Sequence, residues 1–412
     1  MGLIKVNINS FLFFVLCICL ATFSINYEIV TSLRVLDIFF VILFFLFLLT
    51  NPPVNKILLI VFIFIAFIFF TSNMVGIFLY GSPELERLVF IYKYFFIFTL
   101  PWMVVVIVRT DEQIKIINKL LLINFIFLSS WTYIYLALLA SGSIVGSFRP
   151  SFPFSTDYTV SDAHLYSSYL GFFLITYILY LKNYFNHNFI ISFLIIVNGL
   201  AGLILTGSRT GLVMLILGFF LFILYSFISL LFKNKKSLLQ RKTIIYSVAS
   251  LILISFAIIL MAPYISIFFI NYTDLIERAF NLELSTDMSS QARIQQFFIG
   301  LKDSENTGLF LGLGLLSSLT WYDGIISILI AHGGLLFIFS IYIFYYLIIK
   351  KAAINTINQK DFLLFLLLTI LYLAANIVTE YIFITRNAFP VLVMLSILFI
   401  NIFNKRKGIT LS

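Results

Sequence analysis

The feature that most constrains this chain is a series of apolar runs, each about 20 residues long, that recurs along its whole length. A helix of about 20 residues crosses the hydrocarbon core of a bilayer, which is about 30 Å thick. The chain is 62% hydrophobic, only 10% charged, and contains 50 phenylalanines. Because backbone groups in lipid must pair within their own segment, the runs predict helices. We therefore expect an all-α polytopic membrane protein in which residues 1–412 form a single integral membrane domain.

The runs predict twelve spans, the first of which is interpreted as an uncleaved span rather than a signal peptide. Most of the connections between them are short. The exception is the segment 263–321, nearly 60 residues of mixed polarity, in which we expect short amphipathic helices. The predicted spans lie at roughly 10–27, 35–50, 56–77, 88–108, 116–140, 163–182, 188–206, 211–232, 243–262, 322–348, 361–383 and 388–403.

The basic residues predict the orientation of these spans. With a cytoplasmic N-terminus, 17 of the 26 Lys and Arg residues fall on inner segments and 9 on outer ones. Cytoplasmic loops carry such an excess, so both termini are predicted to be cytoplasmic. Residues 207–210, the loop 263–321 and a smaller loop at 141–162 are predicted to lie outside. The same rule explains the pI of about 9.3, so we expect no nucleic-acid partner.

The outer basic residues differ in kind from the inner ones. Seven of the nine are Arg, whereas 14 of the 17 inner ones are Lys. Arg carries a planar fork suited to phosphate and carboxylate oxygens. No acidic residue lies within four positions of Arg209, Arg293 or Arg386. We expect at least two of these three to bind an anionic ligand, and for Arg209 an interfacial position with no ligand is an equal alternative.

The outer loop contains two recognisable parts. Ser289 or Ser290 can cap a helix whose apolar positions in 294–301 share one face, which predicts an amphipathic helix on the membrane or the bundle. Arg293 would lie in its first turn, where the helix dipole disfavours a cation, and this favours a ligand role. The glycines of 308–315 predict a tight apolar turn with close backbone approach.

Three further residues are candidates for proton transfer. Asp323 lies at the start of the tenth span, where capping that helix is the alternative role. Glu380 lies near the outer end of the eleventh span. His332 lies within the tenth span, and a hydrogen-bonded core histidine is the alternative there. Cys17 and Cys19 are two residues apart on a helix and face different ways, and we expect neither a metal nor a cofactor.

Taken together, four short motifs carry a resemblance to a known family. They are Thr-Gly-Ser-Arg-Thr-Gly at 206–211, Arg293 opening a loop helix, Gly-Leu-Gly at 312–314, and an Asp-Gly pair at 323–324 that runs into Gly-Gly at 333–334. In this order, with one large outer loop between late spans, they resemble the O-antigen polymerase/ligase superfamily. The motifs cover about residues 190–345, and the rest of the chain matches only by hydropathy.

The resemblance implies a membrane glycosyltransferase of the bacterial cytoplasmic membrane whose site faces the periplasm. Family members act on sugars linked to undecaprenyl pyrophosphate. The polymerase branch joins repeat units into O-antigen or related surface polysaccharide, and the ligase branch moves finished glycan onto lipid A core. Ligases typically carry a His-Asn pair before the span, where this chain reads Trp-Tyr-Asp-Gly at 321–324. Polymerase is therefore the expectation; ligase, and less so a lipid-linked oligosaccharide flippase, are the alternatives.

Roles for individual residues follow from the resemblance. Arg209 and Arg293 would stabilise the leaving pyrophosphate without a metal, and Asp323, Glu380 or His332 would accept the proton of the attacking sugar hydroxyl. The other implied partners are a chain-length regulator and a flippase, besides the lipid bilayer itself. The remaining predicted substrate-binding residues are Arg149, Ser208, Thr210, Arg278 and Arg386.

Overall fold

The computed structural model is almost entirely helical. It describes residues 8–25, 27–30, 33–52, 56–80, 91–147, 149–155, 162–231, 288–305, 310–314, 325–355, 359–378 and 385–407. The predicted ninth span at 243–262 lies outside these residues, as do Arg278, Asp323 and Glu380.

Helices overlie the other eleven predicted spans, with ends that differ from the prediction by a few residues. A further helix occupies part of the predicted outer loop. The helices are α1 (Ile8–Thr22), α2 (Val35–Leu49), α3 (Lys56–Tyr80), α4 (Ile91–Ile107), α5 (Asp111–Ala140), α6 (Ala163–Tyr184, with a π turn at Tyr177–Leu181), α7 (Phe189–Leu205), α8 (Arg209–Leu231), α9 (Met288–Glu305), α10 (Ile325–Asn355), α11 (Gln359–Val378) and α12 (Thr385–Lys407).

Among the described helices, four are long and apolar enough to cross a membrane. Seven shorter apolar helices of 10–17 residues accompany them. The apolar outer surface is extensive: on α3, for example, Phe67, Phe70 and Phe78 are exposed, the last to 88%. Such a surface is typical of helices that face lipid, and the chain is a helical membrane protein by these criteria. The four long segments are Phe62–Leu79, Asp111–Ala140, Ala163–Tyr184 and His332–Ile354.

Local sequence explains where several helices begin. The Thr110 hydroxyl accepts the Gln113 N–H at 3.2 Å, and the Gln113 side chain accepts the Thr110 N–H at 3.1 Å, which forms a reciprocal cap before α5. The Asn188 side chain accepts the Ile191 N–H at 2.9 Å and caps α7. The Arg34 N–H donates to the Asp37 carboxylate at 2.9 Å at the start of α2.

The prediction of an all-helical fold is confirmed, and one short hairpin accompanies the described helices. Strands β1 (Glu28–Val30) and β2 (Leu33–Arg34) pair in antiparallel fashion between α1 and α2. The first helix ends at Thr22, so it is shorter than the predicted span 10–27. The polar and β-branched residues that follow satisfy their backbone groups by pairing across a hairpin instead of extending the helix.

The chain forms two compact units. The first unit takes residues Met1–Leu121, Glu283–Leu366 and Tyr372–Ser412; the second takes Leu122–Leu282 and Leu367–Leu371. In the first unit, α10 packs on α3, α9 and α12, and α12 also packs on α4. In the second unit, α6 packs on α8 along most of its length and on α7.

Candidate functional site

The predicted site residues that the structure describes fall into two groups, one in each unit. Arg149, Ser208, Arg209 and Thr210 belong to the second unit, and Arg293, His332 and Arg386 to the first. For Arg209, Arg293 and Arg386 the backbone alone is described: they lie at the start of α8, in the second turn of α9 and in the first turn of α12.

The turn between α7 and α8 is closed by hydrogen bonds within residues 203–208. Gly207 adopts a left-handed φ of +60° and donates to the Ile204 carbonyl at 3.0 Å, which ends α7. The Thr206 hydroxyl donates to the Leu203 carbonyl at 2.7 Å. Ser208 is buried and its N–H donates to the Thr206 hydroxyl at 3.3 Å. These internal hydrogen bonds fix the turn. Arg209 and the half-buried Thr210 follow it as the first two residues of α8.

The start of α6 lies beside this turn. A Cβ atom on Gly211 would lie 2.5 Å from the Ser167 carbonyl oxygen, and one on Gly171 would lie 2.6 Å from the Gly211 carbonyl oxygen. Farther along, Gly218 faces Ile175, so the two helices run in parallel. Ser167 lies beside Gly211, and α6 begins one turn before Ser167. The start of α6 is therefore level with the turn that precedes Arg209.

The segment 149–155 packs against the same end of α6. The Trp131 indole N–H donates to the Ser151 carbonyl at 3.0 Å, and the Phe152 ring contacts those of Tyr166 and Tyr169, with centroids 5.1 and 6.3 Å apart. Arg149 enters this segment with its Nε atom buried.

Two titratable residues that were not predicted as site residues join this end of the second unit. Asp162 and His164 are half-buried at the start of α6, level with the turn before Arg209. They lie 45 or more positions from Arg209 in sequence, so only the close packing of α6 on α8 brings the regions together. The packing brings the backbone at Asp162, His164 and Arg209 to the same end of the α6–α8 pair.

The site in the first unit is built around a break in α10. Gly334 has φ +64° and ψ −169°, which is not helical, so two helical halves meet there. The Leu336 N–H donates to the Phe310 carbonyl, outside the helix, at 3.2 Å. His332 is buried, at 4% exposure, immediately before the break. Its burial fits the hydrogen-bonded core alternative, and its catalytic role stays a prediction.

The predicted glycine turn is confirmed, and the structure shows what it approaches. Gly312 and Gly314 have φ values of +66° and +78°. A Cβ atom on Gly314 would lie 2.5 Å from the Cα atom of Asn73 in α3. The Ser72 hydroxyl donates to the Leu311 carbonyl. Ser72 and Asn73 are site residues that the sequence analysis missed, although Thr-Ser-Asn at 71–73 interrupts an otherwise apolar run and could have signalled them.

The prediction for the start of α9 is wrong. The helix already includes Met288, so Ser289 and Ser290 lie inside it and not at its N-cap position. Arg293 consequently lies in the second turn, where the dipole argument for a ligand role weakens. The predicted apolar stripe is not fully buried: Phe298 is 62% exposed and Leu301 is half-buried. α9 does pack on α10, as a helix lying on the bundle would.

Within the described part of the chain, no three His, Cys, Asp or Glu residues are grouped as a metal site would need. No protein-family model, curated protein or solved structure matches the chain significantly.

Proposed function

We propose that the protein is an oligosaccharide repeat-unit polymerase that acts on undecaprenyl-pyrophosphate-linked glycans. The observation that carries the proposal is the meeting of three of the four resemblance motifs in one unit. The Arg293-bearing helix α9 packs on α10, and the turn 312–314 belongs to the segment that fits the break after Gly333. Within this unit the parts pack on one helix, α10, which supports a shared purpose.

The proposal includes a topology. Twelve spans cross the cytoplasmic membrane of a bacterium, both termini are cytoplasmic, and the loop 263–321 lies in the periplasm. The excess of basic residues on one set of connections supports this orientation. The turn at 206–211 and helix α9 then lie on the side where flipped, lipid-linked repeat units arrive.

The reaction that the site would perform is a glycosyl transfer. A sugar hydroxyl of the acceptor attacks the anomeric carbon of the donor, the bond from that carbon to the pyrophosphate oxygen breaks, and the lipid pyrophosphate leaves. Charge grows on the leaving oxygen in the transition state, where Arg209 and Arg293 would stabilise it with paired N–H donors. Asp323 or Glu380 would take the hydroxyl proton, with His332 as the third candidate. No metal is required.

Binding and partners complete the proposal. Arg149, Ser208, Thr210, Arg278 and Arg386 would hold the remaining phosphate and sugar oxygens. A flippase would supply the lipid-linked repeat units, and a chain-length regulator would set where elongation stops. The product would be O-antigen or a related surface polysaccharide.

The first test replaces the two arginines. Arg209→Ala and Arg293→Ala should each reduce long-chain glycan by at least about 100-fold, because each removes a placed charge from the leaving group. Glycan extracted from cells and separated on a gel measures the loss. Arg109→Ala is the matched control, since Arg109 is exposed and its Nε–H donates only to its own helix end, the Val106 carbonyl, at 3.0 Å. Normal chain length in both variants would remove these residues from the site.

The second test asks whether geometry or charge matters at Arg209. Arg209→Lys keeps the charge and loses the planar fork, so most of the activity should disappear. Full activity in the lysine variant would mean that only charge is needed there.

Deleting the gene in a polysaccharide-bearing host separates the alternatives. A polymerase defect leaves a single repeat unit on its anchor. Long chains that build up on the lipid carrier and never reach the core would indicate a ligase instead. Absence of any repeat unit at the outer surface would indicate that the protein is a flippase.

A further inference from the structure

The segment 310–314 is held on two sides by backbone contacts. On one side, the Phe310 carbonyl accepts the Leu336 N–H at the break in α10. On the other, Leu311 and Gly314 lie against α3 at Ser72 and Asn73. Residues 312–314 are buried, and Leu313 is only 1% exposed. The segment therefore sits as a strap between α3 and the second half of α10.

The glycines on both sides leave the strap no room to shift. A Cβ atom on Gly334 would lie 2.2 Å from the Phe310 carbonyl oxygen, and one on Gly314 would lie 2.7 Å from the Asn73 nitrogen. Such short distances to an added Cβ atom mean that backbone approaches backbone directly at both glycines. A small displacement of the strap at α3 must therefore move its other edge at the break.

The Ser72 side chain ties the strap to α3. Ser72 is fully buried in α3, and its hydroxyl donates to the Leu311 carbonyl. The Ile68 carbonyl, one turn earlier in α3, lies 2.8 Å from the same hydroxyl. A carbonyl that is shielded from water and loses its donor is destabilised. The Ser72 hydroxyl therefore holds the partly buried Leu311 carbonyl in position.

The neighbouring Thr71 shows by contrast what Ser72 does. The Thr71 hydroxyl bonds only within α3, to the Phe67 carbonyl at 2.8 Å and the Ile68 carbonyl at 3.0 Å. Thr71 and Ser72 are adjacent and both carry a hydroxyl, but the bond across to the strap comes from Ser72.

We propose that Ser72 is a positioning residue: through the Leu311 carbonyl it seats the strap 310–314 in the break of α10, and thereby sets where helix α9 and Arg293 lie on α10. Only four residues separate α9 from the strap in sequence, and α9 packs on the same helix α10. The consequence for catalysis rests on the proposed polymerase function; the seating of the strap does not.

A labelling experiment tests the seating without any assay of activity. The reporter is Leu313→Cys in the full-length protein, purified in detergent and treated with N-ethylmaleimide, with labelling at position 313 read by mass spectrometry. Adding Ser72→Ala should speed labelling about 5- to 30-fold, the range for a loss of one to two kcal/mol in closing the strap. Adding Thr71→Ala should leave the rate within about twofold, because only a bond internal to α3 is lost. Equal rates in the two variants would overturn the proposal.

A second variant keeps the test decisive if Ser72→Ala does not accumulate. Ser72→Thr retains the donor, so it should accumulate and label at a rate close to that of the reporter alone. Equal loss of folded protein in both variants would mean that the hydroxyl is not what matters at position 72.

The activity arm asks whether seating controls catalysis. With lipid-linked repeat units as substrate, Ser72→Ala should slow elongation by about 10- to 100-fold, as a displaced charge would, with Thr71→Ala unchanged. Faster labelling with unchanged elongation would overturn the positioning role. If the wild-type protein never elongates glycan, the proposed polymerase function is contradicted. The labelling result alone then tests whether Ser72 seats the strap.

Discussion

Glycine residues have different structural roles in the two units. In the first unit, Gly314 and Gly334 adopt left-handed φ values and let non-helical backbone enter between helices. In the second unit, Gly171 and Gly211 are helical and let two intact helices touch. The first use breaks a helix so that a strap can bind to it. The second preserves both helices and brings their axes close, as small residues do in membrane bundles.

The difference has a functional consequence. A break supplies backbone groups that bind a segment from elsewhere. A close parallel crossing holds its ends in fixed register, which places the start of α6 beside the turn before Arg209. We therefore expect the first unit to tolerate substitution at its glycines less well than the second.

The largest predicted effect is at Gly334. Gly334→Ala should lower the free energy of unfolding by about 4 kcal/mol, because a left-handed alanine is strained and its methyl would overlap the Phe310 carbonyl. Unfolding by sodium dodecyl sulfate in mixed micelles measures it.

Gly142→Ala is the matched control for that variant. Gly142 has φ +71°, but nothing lies within 4 Å of a Cβ atom there. It should therefore lose only the strain, about 1 kcal/mol. Equal losses at the two positions would mean that the strap does not press on the break.

The next effect is at the helix crossing. Gly211→Ala should cost about 2 kcal/mol, since its methyl would meet the Ser167 backbone at 2.5 Å and backbone cannot turn aside. The same measurement on Gly218→Ala should show a smaller loss, because the nearest atom is the terminal Cδ1 of Ile175. Ile175→Val removes that atom and should offset most of the Gly218→Ala loss. A Gly211→Ala protein as stable as wild type would refute the close crossing.

The smallest effect is expected where polar side chains join helices in the second unit. The Asn198 side-chain amide donates to the Ser129 hydroxyl at 2.7 Å, between α7 and α5. A double-mutant cycle with Asn198→Ala and Ser129→Ala should give a coupling energy of about 0.6 kcal/mol, the usual size for such bonds in membranes. Coupling near zero would contradict a stabilising bond between these two side chains.

Local features of the fold could be predicted from sequence. The apolar runs located eleven of the described helices, because the length of a span is set by the thickness of the bilayer. The tight turn at 312–314 was predicted because its glycines permit left-handed backbone and a close approach.

Contacts between distant segments could not be predicted. Ser72 and Leu311 are 239 positions apart, and nothing in an apolar run states which loop it will contact. The helix break at Gly334 likewise depends on the Phe310 carbonyl, and Gly-Gly within an apolar run is also compatible with a continuous helix. The start of α9 was misplaced because serine caps helices often but is also tolerated inside them.

The measurement that tests the central claim most directly uses purified protein in phospholipid vesicles. Undecaprenyl-pyrophosphate-linked repeat units are added in the presence of a metal chelator, and the glycan is separated by size. We predict a ladder of products longer than one repeat unit from the wild type, and only single units from Arg293→Ala at equal protein. A folded wild-type protein that yields nothing longer than the supplied unit, with or without divalent metal and with donors of several repeat structures, would contradict the polymerase account.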